Sequence, residues 1–154
     1  MKTKNLPFHI ALLTALCLCT AATAATLDIS HAWVREAPPA SKVLAAYMAI
    51  RNPGDAVISI SGISSPDFES AELHRTVVSE GMARMLHIKQ LEIPAKGTVM
   101  LEPGGLHLML FNPSRPLAAG DRVTLTLHLS NDICLTLDTP VIRRADDGQT
   151  HQHH

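Results

Sequence analysis

From position 27 onward, apolar residues fall mostly in short runs that alternate with polar ones, and Gly, Pro, Asn or Asp interrupts the runs at roughly 8 to 15 residue intervals. A period of two places successive side chains on opposite faces of a strand. Many short strands divided by turn formers predict a β-sandwich or barrel. The pattern places nine strands, over 27–34, 43–51, 56–61, 70–78, 83–92, 98–101, 107–111, 122–129 and 134–142, with turns at 52–55, 65–67, 80–81, 94–97, 103–105 and 119–121. Val123, Leu125, Leu127 and Leu129 alternate with Thr124, Thr126, His128 and Ser130, so one face of that strand is expected in the core and His128 in solvent. Cys134 alternates within an apolar strand and reads as a small buried hydrophobe, Trp33 as a core anchor and His31 as exposed. No long amphipathic helix competes with this all-β reading.

Both ends of the chain depart from the pattern. Met1-Lys2-Thr3-Lys4 is followed by an apolar run over 10–19 and by Ala22-Thr23-Ala24. Positive residues, a short apolar core and small residues at a cleavage site predict a secretory signal peptide over 1–24, cut after Ala24. The run is too short for the ~20 residues of a transmembrane helix. Cys17 and Cys19 lie inside it, but each follows Leu, where lipoprotein processing prefers a small residue, so no stable membrane anchor is expected. Positions 143–154 carry charged and small residues and end His151-Gln152-His153-His154, which reads as a disordered His-rich tail suited to mobile binding of Cu(II), or as a merely solvated end. A single domain over 25–142 remains, long enough for one hydrophobic core.

Cleavage changes the charge and cysteine counts. Losing Lys2 and Lys4 takes 13 basic residues to 11 against 14 acidic ones, about −3 in total, which invites neither nucleic acid nor an anionic membrane. Cys134 becomes the sole cysteine, so no intrachain disulfide can form. A metal site built for an oxidising compartment must then use His, Met or carboxylates. No Ser-His-Asp set, glycine-rich phosphate loop, His-Glu-x-x-His or catalytic carboxylate pair appears, so no enzyme is expected.

The methionines beyond position 24 are Met48, Met82, Met85, Met100 and Met109, and methionine in a β-protein is usually core filler. Two have suggestive company. His107 and Met109 follow a Pro-Gly-Gly turn, and two residues apart on a strand they share a face. His74 heads a strand, and Met85 lies past the Gly81 turn in a strand that can pair back toward it. If the four converge, they offer two imidazole nitrogens and two thioether sulfurs. Such a soft, neutral set selects Cu(I) and contains no thiolate for oxidation to destroy.

The series His74, ten residues, Met85, twenty-one residues, then His107-x-Met109 resembles the copper motif of the PCu(A)C family of periplasmic copper chaperones. His31-Ala32-Trp33-Val34-Arg35-Glu36-Ala37-Pro38-Pro39, Ala45-Ala46-Tyr47-Met48, Asn52-Pro53-Gly54-Asp55, Leu91-Glu92-Ile93-Pro94-Ala95 and Leu101-Glu102-Pro103-Gly104-Gly105 also look familial. The resemblance spans nearly all of the domain. It implies a cupredoxin-like, Greek-key β-sandwich of eight or nine strands that binds one Cu(I) near its surface through His74, Met85, His107 and Met109. It also implies a monomer that delivers copper in the periplasm to cytochrome oxidase, at its binuclear CuA centre or through Sco-type thiol proteins.

The chain departs from the family pattern at Arg75, where an acidic residue is often found, and at Met82-Ala83-Arg84-Met85, which replaces a Met-Lys-Met run. Met82, three residues from Met85, faces the other way in a regular strand and is left out, while His87 shares the parity of Met85 and is either a fifth donor or a surface histidine. Three rival readings remain. An electron-transfer cupredoxin needs a His₂Cys set, yet no histidine follows Cys134 until the tail. A purely structural or adhesive β-sandwich would make the His and Met residues incidental. The third, an enzyme, lacks any motif.

Overall fold

In the computed structural model residues 26–143 are described, and they form ten strands with no helix. These are β1 (Asp28–Arg35), β2 (Val43–Arg51), β3 (Ile58–Ser64), β4 (Phe68–Ser79), β5 (Met82–His87), β6 (Leu91–Ile93), β7 (Thr98–Leu101), β8 (Leu106–Pro113), β9 (Arg122–Leu129) and β10 (Cys134–Ile142). Pairing runs unbroken in the order β5-β4-β8-β7-β2-β1-β10-β9-β3-β6, and further pairings of β4 with β3 and β8 with β2 close it. The ladder is antiparallel except at β1–β10 and β7–β8. One closed, barrel-like sheet therefore replaces the two facing sheets expected of a cupredoxin-like sandwich.

The tenth strand comes from the predicted segment 83–92, which divides. β5 pairs with β4, whereas β6 pairs with β3. Leu86 and Ile88 fall at even positions and Leu91 and Ile93 at odd ones, a change of parity that marks where the chain passes from one neighbour to the other. The Ile88 N–H donates to the Leu73 carbonyl at 2.8 Å at that crossing.

The barrel is filled by alternate residues. Leu44, Ala46, Met48 and Ile50 of β2, Leu73 of β4, Leu108 and Leu110 of β8, and Val123, Leu125, Leu127 and Leu129 of β9 are all buried in one cluster. The alternation expected on β9 is observed. Its outer histidine is less free than predicted: His128 is half-buried, with Nε2 2.8 Å from Ser64 Oγ and Nδ1 3.3 Å from Cys134 Sγ. Cys134 is exposed, not buried. It shares its parity with Thr136 and Asp138 on the wet face, while Leu135 and Leu137 turn inward.

Trp33 is a second correction. A register shift lies between Ser30 and Trp33, where His31 takes a φ of 53°. Val34 occupies the core position, and Trp33 instead packs its ring 4.6 Å from that of Tyr47. His31 is exposed, as expected.

Asn52 ties the start of the 52–55 turn to the barrel. Its side chain is wholly buried, its Nδ2 donates to the carbonyls of Ala56 (2.8 Å) and Ile93 (3.0 Å), and its Oδ1 accepts from the Gly54 N–H (2.9 Å). Asn52→Ala leaves three backbone groups without partners and is expected to cost about 2–3 kcal/mol, read as a lowered urea midpoint.

The expected signal peptide over 1–24 and the histidines His151, His153 and His154 lie outside the described residues. Arg143, assigned by composition to the tail, is tied to the domain by an ion pair with Glu36. Among the described residues no helix is long and apolar enough to cross a membrane.

Candidate functional site

The site is built on β8 and the two strands beyond it. β8 leaves the Pro103-Gly104-Gly105 turn, where Gly104 takes a φ of 81°, and runs between β4 and β2. Leu108 and Leu110 point into the core, so His107 and Met109 project outward together, as their spacing predicts. Directly across on β4, His74 faces His107 and Glu72 faces Met109. His74 lies in mid-strand, not at a strand head.

β4 turns into β5 through Glu80 and Gly81, at φ values of 53° and 75°, and the hairpin expected from Gly81 forms. It sets Met85 opposite Thr76 and His87 opposite His74. Facing residues of an antiparallel pair share a side of the sheet. The outer face thus carries an imidazole row, His107, His74 and His87, with Met109 and Met85 at opposite diagonals. Ring centroids are 6.2 Å apart for His74 and His107, and 5.4 Å for His74 and His87. Met82 faces Ser79 near the hairpin tip, with the opposite parity from Met85.

Met85, His107 and Met109 line one open cleft of about 390 Å³, and His74 stands beside its wall. In a flat sheet Met85 and Met109, two strands and four residues apart, would have Cα atoms about 17 Å from each other. Sharing one cleft requires the twist of the sheet to carry the β4–β5 arm toward β8. The four positions differ in exposure: His107 is 5% exposed and the His74 side chain 13%, but Met85 is 59% exposed.

Hydrogen bonds fix one nitrogen of each central imidazole. His74 Nε2 lies 2.8 Å from Glu72 Oε2, which as a carboxylate accepts, so the proton belongs on Nε2 and Nδ1 carries a lone pair. That Nδ1 is buried and has no partner. His107 Nδ1 donates to the Gly105 carbonyl at 3.1 Å, leaving its Nε2 as the unprotonated nitrogen. An imidazole held by an acceptor on one nitrogen and open on the other is prepared to ligate a metal. Sequence reasoning missed Glu72. The available signal was its place two residues before His74, on the same face.

The wall also takes in Arg35, the last residue of β1, and Glu36 and Ala37 of the loop after it, which the sequence did not place. Glu36 bonds to Arg143 and accepts from the Ala119 N–H at 3.0 Å. The Arg143 bond, then that N–H, holds the Glu36 carboxyl below the usual range, and Glu36 in turn raises Arg143. Burial raises the phenol of Tyr47, and the charge of Arg35 partly opposes the rise. Among the described residues no three His, Cys, Asp or Glu side chains are grouped so as to hold a metal ion. Cys134 contacts His128, on β10 and β9, whereas His74 and His107 lie on β4 and β8.

A family model described as "Putative lipoprotein LpqE-like" matches residues 27–141. The chain is 34% identical over 116 residues to the "Putative lipoprotein Lxx21020" of Leifsonia xyli subsp. xyli, covering 75% of this chain and 69% of that one. It is similar in structure to the Cu(I) form of DR1885 from Deinococcus radiodurans, with a TM-score of 0.64, 34% identity, and 81% and 85% of the two chains covered. The copper-bound PCuAC domain from PmoF2 aligns with a TM-score of 0.66 at 24% identity, over 79% of this chain and 97% of that domain, a likeness of fold.

Proposed function

The chain belongs to the LpqE-like family, related to the PCuAC copper-binding domains, and from that premise we propose that it is an exported copper chaperone. It carries one Cu(I) through His74, Met85, His107 and Met109. The main support is geometric: two imidazoles, each with one nitrogen anchored and one without a partner, share the outer face, His107 in one cleft with the two thioethers and His74 beside its wall. All four donors are neutral, and thioether sulfur prefers Cu(I) to Cu(II) or Zn(II).

The exposure gradient suits transfer. His107 and His74 are held in the sheet, whereas Met85 lies on β5, whose residues are all exposed and which ends the ladder. Met85 is the donor an incoming ligand displaces first, so a new bond to copper forms before the buried imidazoles let go. Glu72 acts one step back by orienting His74. Glu72→Ala is expected to weaken Cu(I) binding about tenfold, with little change in the urea midpoint, in competition with a chromophoric chelator.

The acceptors we propose are the CuA centre of cytochrome oxidase and Sco-type thiol proteins, reached in the periplasm by a monomer cleaved after Ala24. The family description and the Leifsonia relative's name both say lipoprotein. Acylation of Cys17 or Cys19, with cleavage just before that cysteine, is therefore the alternative to cleavage after Ala24, and the mass of the exported protein separates them. The histidines His151, His153 and His154 form a second, weaker site for Cu(II). Titration of the exported chain with Cu(I) and then Cu(II) tests the whole reading. One tight Cu(I) equivalent, and a weaker Cu(II) equivalent lost when all three terminal histidines become alanine, are expected. No tight Cu(I) binding would favour the structural or adhesive alternative.

A further inference from the structure

Arg35 and Tyr47 line the cleft of Met85, His107 and Met109 without belonging to the proposed ligand set. Arg35 is half-buried, and its Nε is shielded from solvent with no hydrogen-bond acceptor. A guanidinium stays charged and presents five donors in a planar fork, so an unanswered one costs free energy that an anion would recover. Among the described residues Arg35 joins none of the ion pairs. Its neighbour Glu36 is committed to Arg143 and the Ala119 N–H. Tyr47 brings a phenol beside this charge, itself nearly buried. The metal donors are neutral, so a Cu(I)-loaded cleft would hold two positive charges and no free negative one.

We propose that Arg35, with Tyr47 beside it, is a carboxylate-binding subsite in the cleft, and that it engages a carboxylate carried by the molecule that takes the copper. The planar fork matches a carboxylate in bidentate fashion, which a point charge does not. The subsite itself is independent of copper; its part in transfer follows from the chaperone reading. By drawing an anionic acceptor to the cleft, Arg35 selects which molecules reach the metal, an effect on encounter more than on affinity.

Two measurements on the full chain test this. In the copper-free protein, acetate is expected to shift the Arg35 Nε–H resonance saturably, acetamide to leave it in place, and Arg35→Gln to abolish the response at neighbouring Tyr47 and His107 amides. Absence of a saturable acetate shift both in the wild-type chain and in the Asp146→Asn/Asp147→Asn chain overturns the subsite whatever copper does. An acetate response that appears only when Asp146 and Asp147 are changed to asparagine would assign the subsite to the chain's own carboxylates, and overturns the acceptor role. In the Cu(I)-loaded protein, transfer to bicinchoninate is compared with transfer to its uncharged diamide. Arg35→Gln is expected to slow the first about tenfold and leave the second unchanged, with Arg35→Lys recovering part of the loss. Equal rates for wild type and Arg35→Gln, or equal slowing toward both chelators, overturns the role in transfer. Failure to load Cu(I) at all would instead contradict the chaperone reading, and the acetate titration would still decide the subsite.

Discussion

Changing Met85 and Met109 together to alanine is expected to lower Cu(I) affinity at least about a hundredfold while the barrel stays folded. Loss of an outer-shell partner of a metal ligand typically costs 10–100-fold in affinity, so loss of two direct donors sets that range as a floor. Packing gives the complementary expectation. Met85 is mostly solvent-exposed on β5 and Met109 only half-buried on β8, and both side chains stand on the outer face. Exposed truncations of this kind usually move stability by ±0.5 kcal/mol or so. Competition titration and urea unfolding of the same variant therefore separate ligation from structure. A variant that binds Cu(I) as tightly as wild type would mean that the methionines are surface filler.

Leu108→Ala is expected to do the reverse. Leu108 sits between His107 and Met109 in sequence but points into the core, 1% exposed, opposite Leu73 of β4 and Ala46 of β2. Truncating a buried leucine removes its transfer free energy and leaves a cavity, together about 3–5 kcal/mol. That is a large part of the 5–15 kcal/mol or so by which domains are usually stable. The urea midpoint is expected to fall strongly, while under conditions where the variant remains folded it still binds one Cu(I). Loss of stoichiometric binding in the folded variant would show that strand position on β8, more than donor identity, controls the metal.

The positions behind these two expectations also explain why much of the candidate site's layout was legible in the sequence. His107, Leu108 and Met109 divide between two faces by the parity of one strand, and parity is a local property. The hairpin bringing Met85 back toward β4 is also local, set by Glu80 and Gly81. The all-β class and the alternating core of β9 followed from the same periodicity. Less visible was anything fixed by pairing between distant strands. Arg35 and Met85, fifty residues apart in number, reach one cleft only because β2 and β8 pair and the ladder closes on itself. Closure also depends on the β3–β4 contact, which no run of residues announces, hence the expected sandwich and the observed barrel.

Two readings failed for local reasons that could have been recognised. Cys134 reads as buried from its place in an apolar, alternating strand, although its parity groups it with Thr136 and Asp138 and not with Leu135 and Leu137. The bulge at His31 shifts register before Trp33, and no glycine or proline there marks it. The hydrogen bond from His74 to Glu72 required knowing that β4 runs straight through both residues. A sequence can place two such residues on one face, but rotamers decide whether they meet.

The most direct measurement is copper K-edge X-ray absorption of the chain loaded with one equivalent of Cu(I). Binding through His74, Met85, His107 and Met109 predicts a first shell of two imidazole nitrogens and two thioether sulfurs, with the sulfur contribution lost in the Met85→Ala/Met109→Ala variant. A shell of nitrogen and oxygen alone in the wild-type chain, or sulfur that survives in the double variant, would contradict the proposed site.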